Sequence, residues 1–400
     1  MTGNTKASSA AVYYDPFDFG IDDDPYPVWK RLRDEAPLYW NEAYKFFALS
    51  RYDDVAQALP DWQAYRSGRG TIPEVIFSGM EIPPGIILFE DPPIHDLHRK
   101  LLAKVFTRRR MMAVEPLIRR FCVAALDELV GRPEFDVIAD LGTLIPMRTI
   151  GYLLGIPESA QAGIRDNTDR QLTLADGTLQ ELDADSFHHS NDLIADYIDW
   201  RADHPSDDLM TELLHAEIEE NGERRRLTRT EVLTYTNTIA GAGNETTTRL
   251  VGYMTQLLAE HPAQLAEVAA DRSLIPNVVE ETLRFEAPSP VQARWMARDV
   301  EVHGQVVPKD TVMLLLNGSA NRDERHYENP DSFDIHRTEG HLAFGYGLHL
   351  CLGAALARLE GQVALDEMLK RWPQWTVDRS RAERAHTSSV RGWATLPVLV

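Results

Sequence analysis

The apolar positions of this chain follow a helical period over most of its length. From about residue 95 to residue 260 they recur at intervals of three and four, as in amphipathic helices that pack against a core. Short strand-like runs precede and follow this region, and residues 388–400 have the pattern of a closing hairpin. Helices outnumber strands and nothing alternates as a parallel βαβ sheet does, so the pattern predicts a mainly α fold with a small β region.

The domain organisation follows from the same pattern. Residues 1–12 are mostly small and polar, and we expect a flexible tail there. No linker interrupts residues 13–400, which predict a single domain. Residues 66–94 are rich in Gly, Pro and Ile and predict a long apolar loop. A loop of that length inside a compact domain usually carries function.

Charge and cysteine content exclude several classes of protein. The 400 residues include 41 Lys and Arg against 62 Asp and Glu, for a net charge of -21, which disfavours nucleic acid or an anionic membrane as a partner. Two cysteines, Cys122 and Cys351, exclude a disulfide scaffold or a multi-cysteine metal site. No apolar run approaches the roughly 18 residues of a membrane span, and no export signal is apparent. We therefore expect a cytoplasmic protein.

One of the cysteines lies in a frame of glycines just before a predicted helix. The fixed residues of this stretch are Phe344, Gly345, Gly347, His349, Cys351 and Gly353. Glycine permits positive φ and close approach to the backbone, and a helix N-terminus favours thiolate over thiol, so the stretch suits a metal ligand. A buried cysteine in a tight turn would explain an isolated Cys-x-Gly, but the complete string favours the ligand. A catalytic Cys/His pair is a weaker alternative, because no hydrolase signature surrounds Cys351.

A long helix is predicted from the capping box at Thr228–Glu231 to the Pro that follows His261. It would span about thirty residues, or roughly 45 Å. Its centre reads Ala240-Gly241-Ala242-Gly243-Asn244-Glu245-Thr246-Thr247. Each interior glycine costs about 1 kcal/mol relative to alanine, so either close helix packing or a functional notch must compensate.

The two stretches together resemble the cytochrome P450 family, in its haem-binding loop F-G-x-G-x-H-x-C-x-G and its distal helix A-G-x-[D/E]-T-[T/S]. The resemblance covers essentially the whole chain. It implies a helix-rich triangular prism with a long central helix over haem b, iron protoporphyrin IX. It further implies that the Cys351 thiolate is the axial iron ligand, that Phe344 packs beside the sulfur and that His349 reaches a propionate. Four further residues are implied as cofactor contacts: Gly345, Gly353, Ala242 and Gly243.

The family's distal helix also implies a proton route for oxygen activation. Glu245 would exchange protons with solvent, and the Thr246 hydroxyl would orient water over the iron. These two residues are the predicted catalytic pair. Their presence favours oxygen activation with external electrons over a peroxide-driven reaction.

Other motifs imply cofactor contacts and a structural network. The sequence D-P-P-x-H-x-x-x-R at residues 91–99 implies that His95 and Arg99 bind propionate, joined by Arg294. Glu281 and Arg284 match the family's E-x-x-R helix pair, although alone such a pair is usually a weak surface bridge. Arg337 is the predicted third member of this network, with His336 as a rival.

The resemblance also points to a substrate pocket and a partner surface. The loop 66–94 would roof an apolar pocket, and the predicted lining is Ile86, Leu88, Ala242, Val291 and Gln292. A basic stripe would run along one helix and its extension: Lys100, Lys104, Arg108, Arg109 and Arg110. A charge run is usually a solvated face, but this one opposes the net charge and predicts docking of an acidic ferredoxin.

The implied function is insertion of one oxygen atom from O2 into a small to medium lipophilic substrate. The electrons would come from NAD(P)H through a ferredoxin reductase and a ferredoxin, and we expect a monomer. Two alternatives remain open: a peroxide-driven haem-thiolate enzyme, and a haem-thiolate binding protein without turnover.

Overall fold

The computed structural model describes residues 11–82, 85–103, 106–158, 160–161, 184–220, 222–387 and 389–400. Its helices are α1 (Phe19–Asp23), α2 (Tyr26–Glu35), α3 (Tyr52–Ala58), α4 (Pro73–Ser78), α5 (Ile94–Ala103), α6 (Arg108–Asp127), α7 (Leu144–Leu154), α8 (Ala184–Asp203), α9 (Leu209–His215), α10 (Arg229–Glu260), α11 (Pro262–Ala270), α12 (Ile275–Phe285), α13 (Asn317–Ala320) and α14 (Ala354–Arg371). Its strands are β1 (Leu38–Asn41), β2 (Phe46–Leu49), β3 (Tyr65–Arg66), β4 (Glu134–Asp136), β5 (Glu217–Glu220), β6 (Glu223–Arg226), β7 (Gln292–Met296), β8 (Val300–Val302), β9 (Gln305–Val307), β10 (Val312–Leu315), β11 (Thr376–Val377), β12 (Glu383–Ala385), β13 (Gly392–Thr395) and β14 (Pro397–Leu399).

The long helix α10 forms the centre of the helical core. Its predicted start is confirmed: the Thr228 hydroxyl accepts the Glu231 N–H, and the Glu231 carboxylate accepts the Thr228 N–H. Arg225 binds this carboxylate and lowers the pKa of Glu231 to about 2. The helix packs against α7, α8, α12 and α14, so most of its side chains are buried on every face.

The strands form one five-stranded sheet, one three-stranded sheet and three two-stranded ribbons within the described residues. In the larger sheet the order is β1-β2-β10-β7-β3, and β10 runs parallel to β2. The predicted closing hairpin is wrong, because β13 pairs with β12 whereas β14 pairs with β11 and β4. The end of the chain therefore bridges two sheets.

The segment 66–94 is not the continuous loop that its Gly and Pro content predicts. Pro73 stands in the first turn of α4, and Gly79, with φ +64°, ends that helix in the left-handed conformation. Ile87–Phe89 forms a single 3₁₀ turn. We refer below to residues 85–90 as the strap.

The predicted basic stripe does not lie on one continuous helix. α5 ends at Ala103, and α6 begins at Arg108 after Thr107, whose hydroxyl accepts the Arg110 N–H as an N-cap. Lys104 lies outside the described residues. Lys100 and Arg108 therefore belong to different helices, and the i, i+4, i+8 spacing does not lie along one helix axis. Lys100 and Arg109 are exposed.

Within the described part of the chain, no helix is both long enough and apolar enough to span a bilayer.

Candidate active site

The cysteine loop is shaped by two glycines with positive φ. This loop comprises residues 344–353, and in it Gly345 has φ +69° and Gly347 has φ +76°. A Cβ atom at Gly347 would lie 2.8 Å from Cα of Pro60. The loop closes when the Cys351 N–H donates to the Phe344 carbonyl over 2.9 Å. α14 starts three residues after Cys351, so its N-terminal N–H groups lie near the sulfur.

The two cysteines have different environments. Cys122 is fully buried in the apolar core, and burial raises the pKa of its thiol. Cys351 is exposed to solvent, although the surrounding protein still desolvates its thiol and thereby raises the pKa. The N–H groups of Gly353 and Ala354 and the cations Arg99 and Arg358 act in the opposite direction. Cys351 is thus the cysteine that an external metal could reach.

An ion-paired cluster of Arg358, Glu280 and His341 supports the Phe344 end of the cysteine loop. Arg358 of α14 lies 4.5 Å from the centre of the Phe344 ring and binds both carboxylate oxygens of Glu280, at 2.6 and 2.9 Å. His341 lies 3.3 Å from the same carboxylate. Burial would raise the pKa of Glu280, but His341 and Arg358 outweigh burial and lower it to about 2. The sequence does not reveal this ion-paired cluster, because its three residues are far apart in the chain and form no local motif.

Basic side chains converge on the other side of the loop. The rings of His95 and His349 are 4.4 Å apart, and Arg99 donates to the Leu350 carbonyl over 2.6 Å. Arg294, which is buried, donates to neutral acceptors at Ala293 and Gln292. Among the described residues, no carboxylate lies within ion-pair distance of its guanidinium.

The electrostatics of this basic cluster favour the binding of an anion. Burial lowers the pKa of Arg294 to about 10 and, together with the charges of Arg294, His95 and Arg99, lowers that of His349 to about 3. Nε2 of His95 is buried, and none of the described residues gives it a hydrogen-bond partner. Ser67, which sequence analysis missed, places its hydroxyl 3.2 Å from Nε2 of His349. A ligand with carboxylate groups would satisfy these donors.

The centre of α10 contains an accessible notch in a largely buried helix. Ala242 is exposed and Thr246 is half-buried, whereas Asn244 and Thr247 between and beside them are buried. The Thr246 hydroxyl donates to the Ala242 carbonyl over 3.2 Å. Gly243 permits close packing of α7 on α10, because a Cβ atom there would lie 2.9 Å from the Ile150 side chain. The predicted cofactor contact of this glycine stays a prediction.

Glu245 is buried rather than directly open to solvent. Its carboxylate lies 3.0 Å from Nη2 of Arg249, one helical turn further along α10. Arg249 in turn donates to the Trp393 carbonyl. Burial and the contact with Arg249 therefore separate this carboxylate from the solvent with which it is predicted to exchange protons.

The predicted pocket residues occupy four different places, of which the notch of α10 holds Ala242. Leu88 is 38% exposed and Ile86 half-buried, both on the strap. Val291, the residue before β7, is buried and packs in a core cluster that contains Trp29. Gln292 accepts a hydrogen bond from Arg294 and so belongs to the basic cluster.

The structure brings Glu281, Arg284 and Arg337 together. Glu281 binds Arg284 through both oxygens at 2.6 and 2.7 Å, and Nε of Arg337 lies 3.4 Å from the same carboxylate. His336 instead pairs with Glu267 at the surface. Arg284 also donates to three carbonyl groups: those of Asn321, Pro330 and Ser332. The network fixes the irregular chain that leads into the cysteine loop.

Comparison with known proteins identifies the family. The family described as "Cytochrome P450" matches residues 188–390. The mycobacterial protein designated cytochrome P450 123, from Mycobacterium tuberculosis, is 38% identical over 99% of this chain and 98% of its own. The chain belongs to the cytochrome P450 family.

Two further similar proteins are a named epoxidase and a P450 of solved structure. Cyclomarin C epoxidase CymV of Salinispora arenicola is 34% identical over 92% of this P450 and 94% of its own length. A mutant of P450 EryK in complex with erythromycin B superposes with a TM-score of 0.85 at 31% identity, covering 95% and 97% of the two chains. The P450 fold and the monooxygenase class are therefore established for this protein.

The residues present fit the haem that the family binds through a cysteine thiolate. Cys351 is accessible beside a helix N-terminus, and the basic cluster at His95, Arg99, Arg294 and His349 has donors suited to propionates. The notch at Ala242 and Thr246 provides open space on the central helix.

Proposed function

We propose that this P450 inserts one oxygen atom from O2 into a lipophilic organic substrate, with electrons from NAD(P)H delivered by a ferredoxin reductase and a ferredoxin. The observation that supports it most is the accessible Ala242–Thr246 notch at the centre of a largely buried helix. Haem held by a thiolate supplies the chemistry that cleaves the O–O bond.

Cys351 is the proposed iron ligand in this scheme. His95, Arg99, Arg294 and His349 would bind the propionates, with Ser67 holding the His349 ring. Phe344, backed by Arg358, would pack beside the sulfur. Gly345 and Gly353 leave room for a flat group, since a Cβ at Gly353 would meet no atom of the described part of the chain within 4 Å.

Thr246 and Glu245 are the proposed proton-handling residues. The Thr246 hydroxyl faces the notch, where it can hold a water and pass a proton to the reacting site. Glu245 would resupply that proton, and Arg249 would orient its carboxylate.

Replacing Thr246 with alanine should uncouple the reaction. We expect the product formed per NAD(P)H to fall about tenfold or more, with the missing electrons recovered as hydrogen peroxide. Thr255→Ala is the matched control, because its hydroxyl also donates to the carbonyl four residues back but is buried against α14. A peroxide-driven enzyme would show equal peroxide-supported turnover and little dependence on Thr246 under ferredoxin supply.

The substrate class can be approached through the relatives. CymV is named as an epoxidase of cyclomarin C, and the EryK structure holds erythromycin B. We propose a lipophilic natural-product substrate, consistent with Ile86 and Leu88 on the strap. A screen for compounds that convert the ferric iron from low to high spin would identify it, and failure of every binder to yield product would favour the non-catalytic alternative.

Electron delivery is proposed to occur at the exposed cations of α5 and α6. Lys100 and Arg109 are exposed, and Arg110 is paired with Glu212 at 2.8 Å. Cysteine-loop side chains Tyr346 and Leu350, 57% and 44% exposed, add apolar area. We also propose that the protein acts as a monomer in the cytoplasm, where reduced ferredoxin would be available.

Charge reversal at Arg109 should slow reduction by ferredoxin. We expect Arg109→Glu to lower the second-order reduction rate about tenfold at low salt and less at high salt, because screening removes the steering field. Arg132→Glu, at an exposed position beyond the end of α6, is the matched control. Equal rates for the two variants would contradict this docking surface.

A further inference from the structure

A buried carboxylate–imidazole pair joins the strap to α5. Nδ1 of His98 lies 2.7 and 2.9 Å from the two carboxylate oxygens of Glu90. The His98 side chain is 1% exposed and that of Glu90 is 7% exposed. Taking such strongly polar groups out of water is costly, and the motifs of the sequence assign neither residue a role.

The same carboxylate also fixes the start of the strap. Glu90 accepts the backbone N–H of Gly85 over 2.8 Å. Gly85 has φ +99°, and a Cβ atom there would lie 3.3 Å from the Thr234 side chain, so the strap backbone is pressed against α10. Glu90 thus connects three elements: the strap, α5 and, through Gly85, the long helix.

The point of contact on α10 lies in the row of side chains that leads to the notch. Thr234, Thr238, Ala242 and Thr246 follow at intervals of four, so each neighbours the next along a row that winds gradually around the helix. The first and last are about 18 Å apart along the axis. On the strap, Leu88 is accessible, and its position depends on how Gly85 and Glu90 are held.

We propose that Glu90 and His98 are positioning residues that set the shape of the substrate pocket by holding the strap on α5 and α10. The proposal rests on the proposed haem-thiolate function for its spectroscopic readout. It assigns the pair no contact with substrate: the effect reaches the pocket through Gly85, Ile86 and Leu88.

A purely stabilising pair would behave differently from a positioning pair. Replacing one partner with leucine leaves the other buried and unsatisfied, so each single leucine variant should be destabilised in either case. Replacing both partners with leucine removes the unsatisfied group and should recover much of the stability. Leucine cannot accept the Gly85 N–H, however, so a positioning role stays lost in the double variant.

The test uses azoles of increasing size on the ferric holoenzyme. Imidazole, 4-phenylimidazole and clotrimazole are titrated into wild type, Glu90→Gln and the double variant Glu90→Leu/His98→Leu, and thermal unfolding is followed in parallel. The matched control is Glu267→Leu/His336→Leu, which removes a surface His–Glu pair separated by 3.1 Å. Hydrogen exchange of the Gly85 amide, measured in the same proteins, reports on the strap without any ligand.

We expect the ratio of clotrimazole to imidazole affinity to change about tenfold in the double variant, since a hydrogen bond to a charged group is lost. Gly85 exchange should accelerate there, and Glu90→Gln, which retains an acceptor, should stay close to wild type. Unchanged ratio and exchange in a stable double variant would overturn the proposal. If no azole binds to a haem iron in the wild type, the proposed function is contradicted. Hydrogen exchange of the Gly85 amide would still test whether Glu90 and His98 hold the strap.

Discussion

Glu281→Gln should destabilise the fold by about 3–5 kcal/mol, the usual cost of breaking a buried ion pair. Glu281 is the one carboxylate in contact with both Arg284 and Arg337 within the described residues, and it also accepts the Asp334 N–H over 2.9 Å. An amide cannot compensate two guanidinium charges. Urea unfolding of the purified protein measures the loss, and haem content should fall because the network supports the chain that leads into the cysteine loop.

An exposed pair provides the control for this prediction. Glu35 binds Arg31 at 2.8 and 2.9 Å one helical turn away, with about half of each side chain exposed. Glu35→Gln should cost far less than Glu281→Gln, because solvent screens such exposed pairs. Equal losses for the two substitutions would show that Glu281 is not the centre of a buried network.

Glu360→Gln should stabilise the protein at neutral pH. Glu360 lies on α14, fully buried, with the hydroxyls of Thr149 and Thr247 nearby. Burial raises its pKa to about 8, only partly opposed by these hydroxyls. At pH 7 the folded state must hold a proton that the unfolded chain has released, at a cost on the order of 3 kcal/mol. Glutamine is neutral in both states and removes this cost.

The pH dependence of this effect has a definite sign. The folded pKa of Glu360 is raised, so its favourable contribution is complete below about pH 4.5 and is lost as the pH rises toward 8. The gain from Glu360→Gln should therefore be absent at pH 4 and grow up to pH 8. Thermal unfolding of both proteins from pH 4 to 9 measures the difference, and a constant difference across that range would refute the raised pKa.

Much of the site could be predicted because its members lie close together in the chain. The glycines around Cys351 and the capping box before α10 each have a fixed local spacing, so the sequence shows them directly. Glu281 and Arg284 are one helical turn apart, and the structure adds only that they are buried. Predictions of this kind need no knowledge of tertiary packing.

The parts that failed or were missed depend on packing between distant segments. Arg358 and Glu280 are far apart in sequence, as are Ser67 and His349, and no spacing relates them. An apolar residue such as Val291 suits a pocket wall as well as a core, and in the structure it packs in the core cluster that contains Trp29. The prediction that the basic stripe follows one helix axis was wrong for a local reason. Thr107 is the N-cap of α6, so a new helix begins between Lys100 and Arg108.

The ferrous carbon monoxide spectrum of the purified holoprotein tests the central claim most directly. We predict the red-shifted Soret band of thiolate-ligated haem in wild type, and its loss in Cys351→His with Cys122 intact. An imidazole-type band in wild type, or a thiolate band that persists without Cys351, would contradict the account.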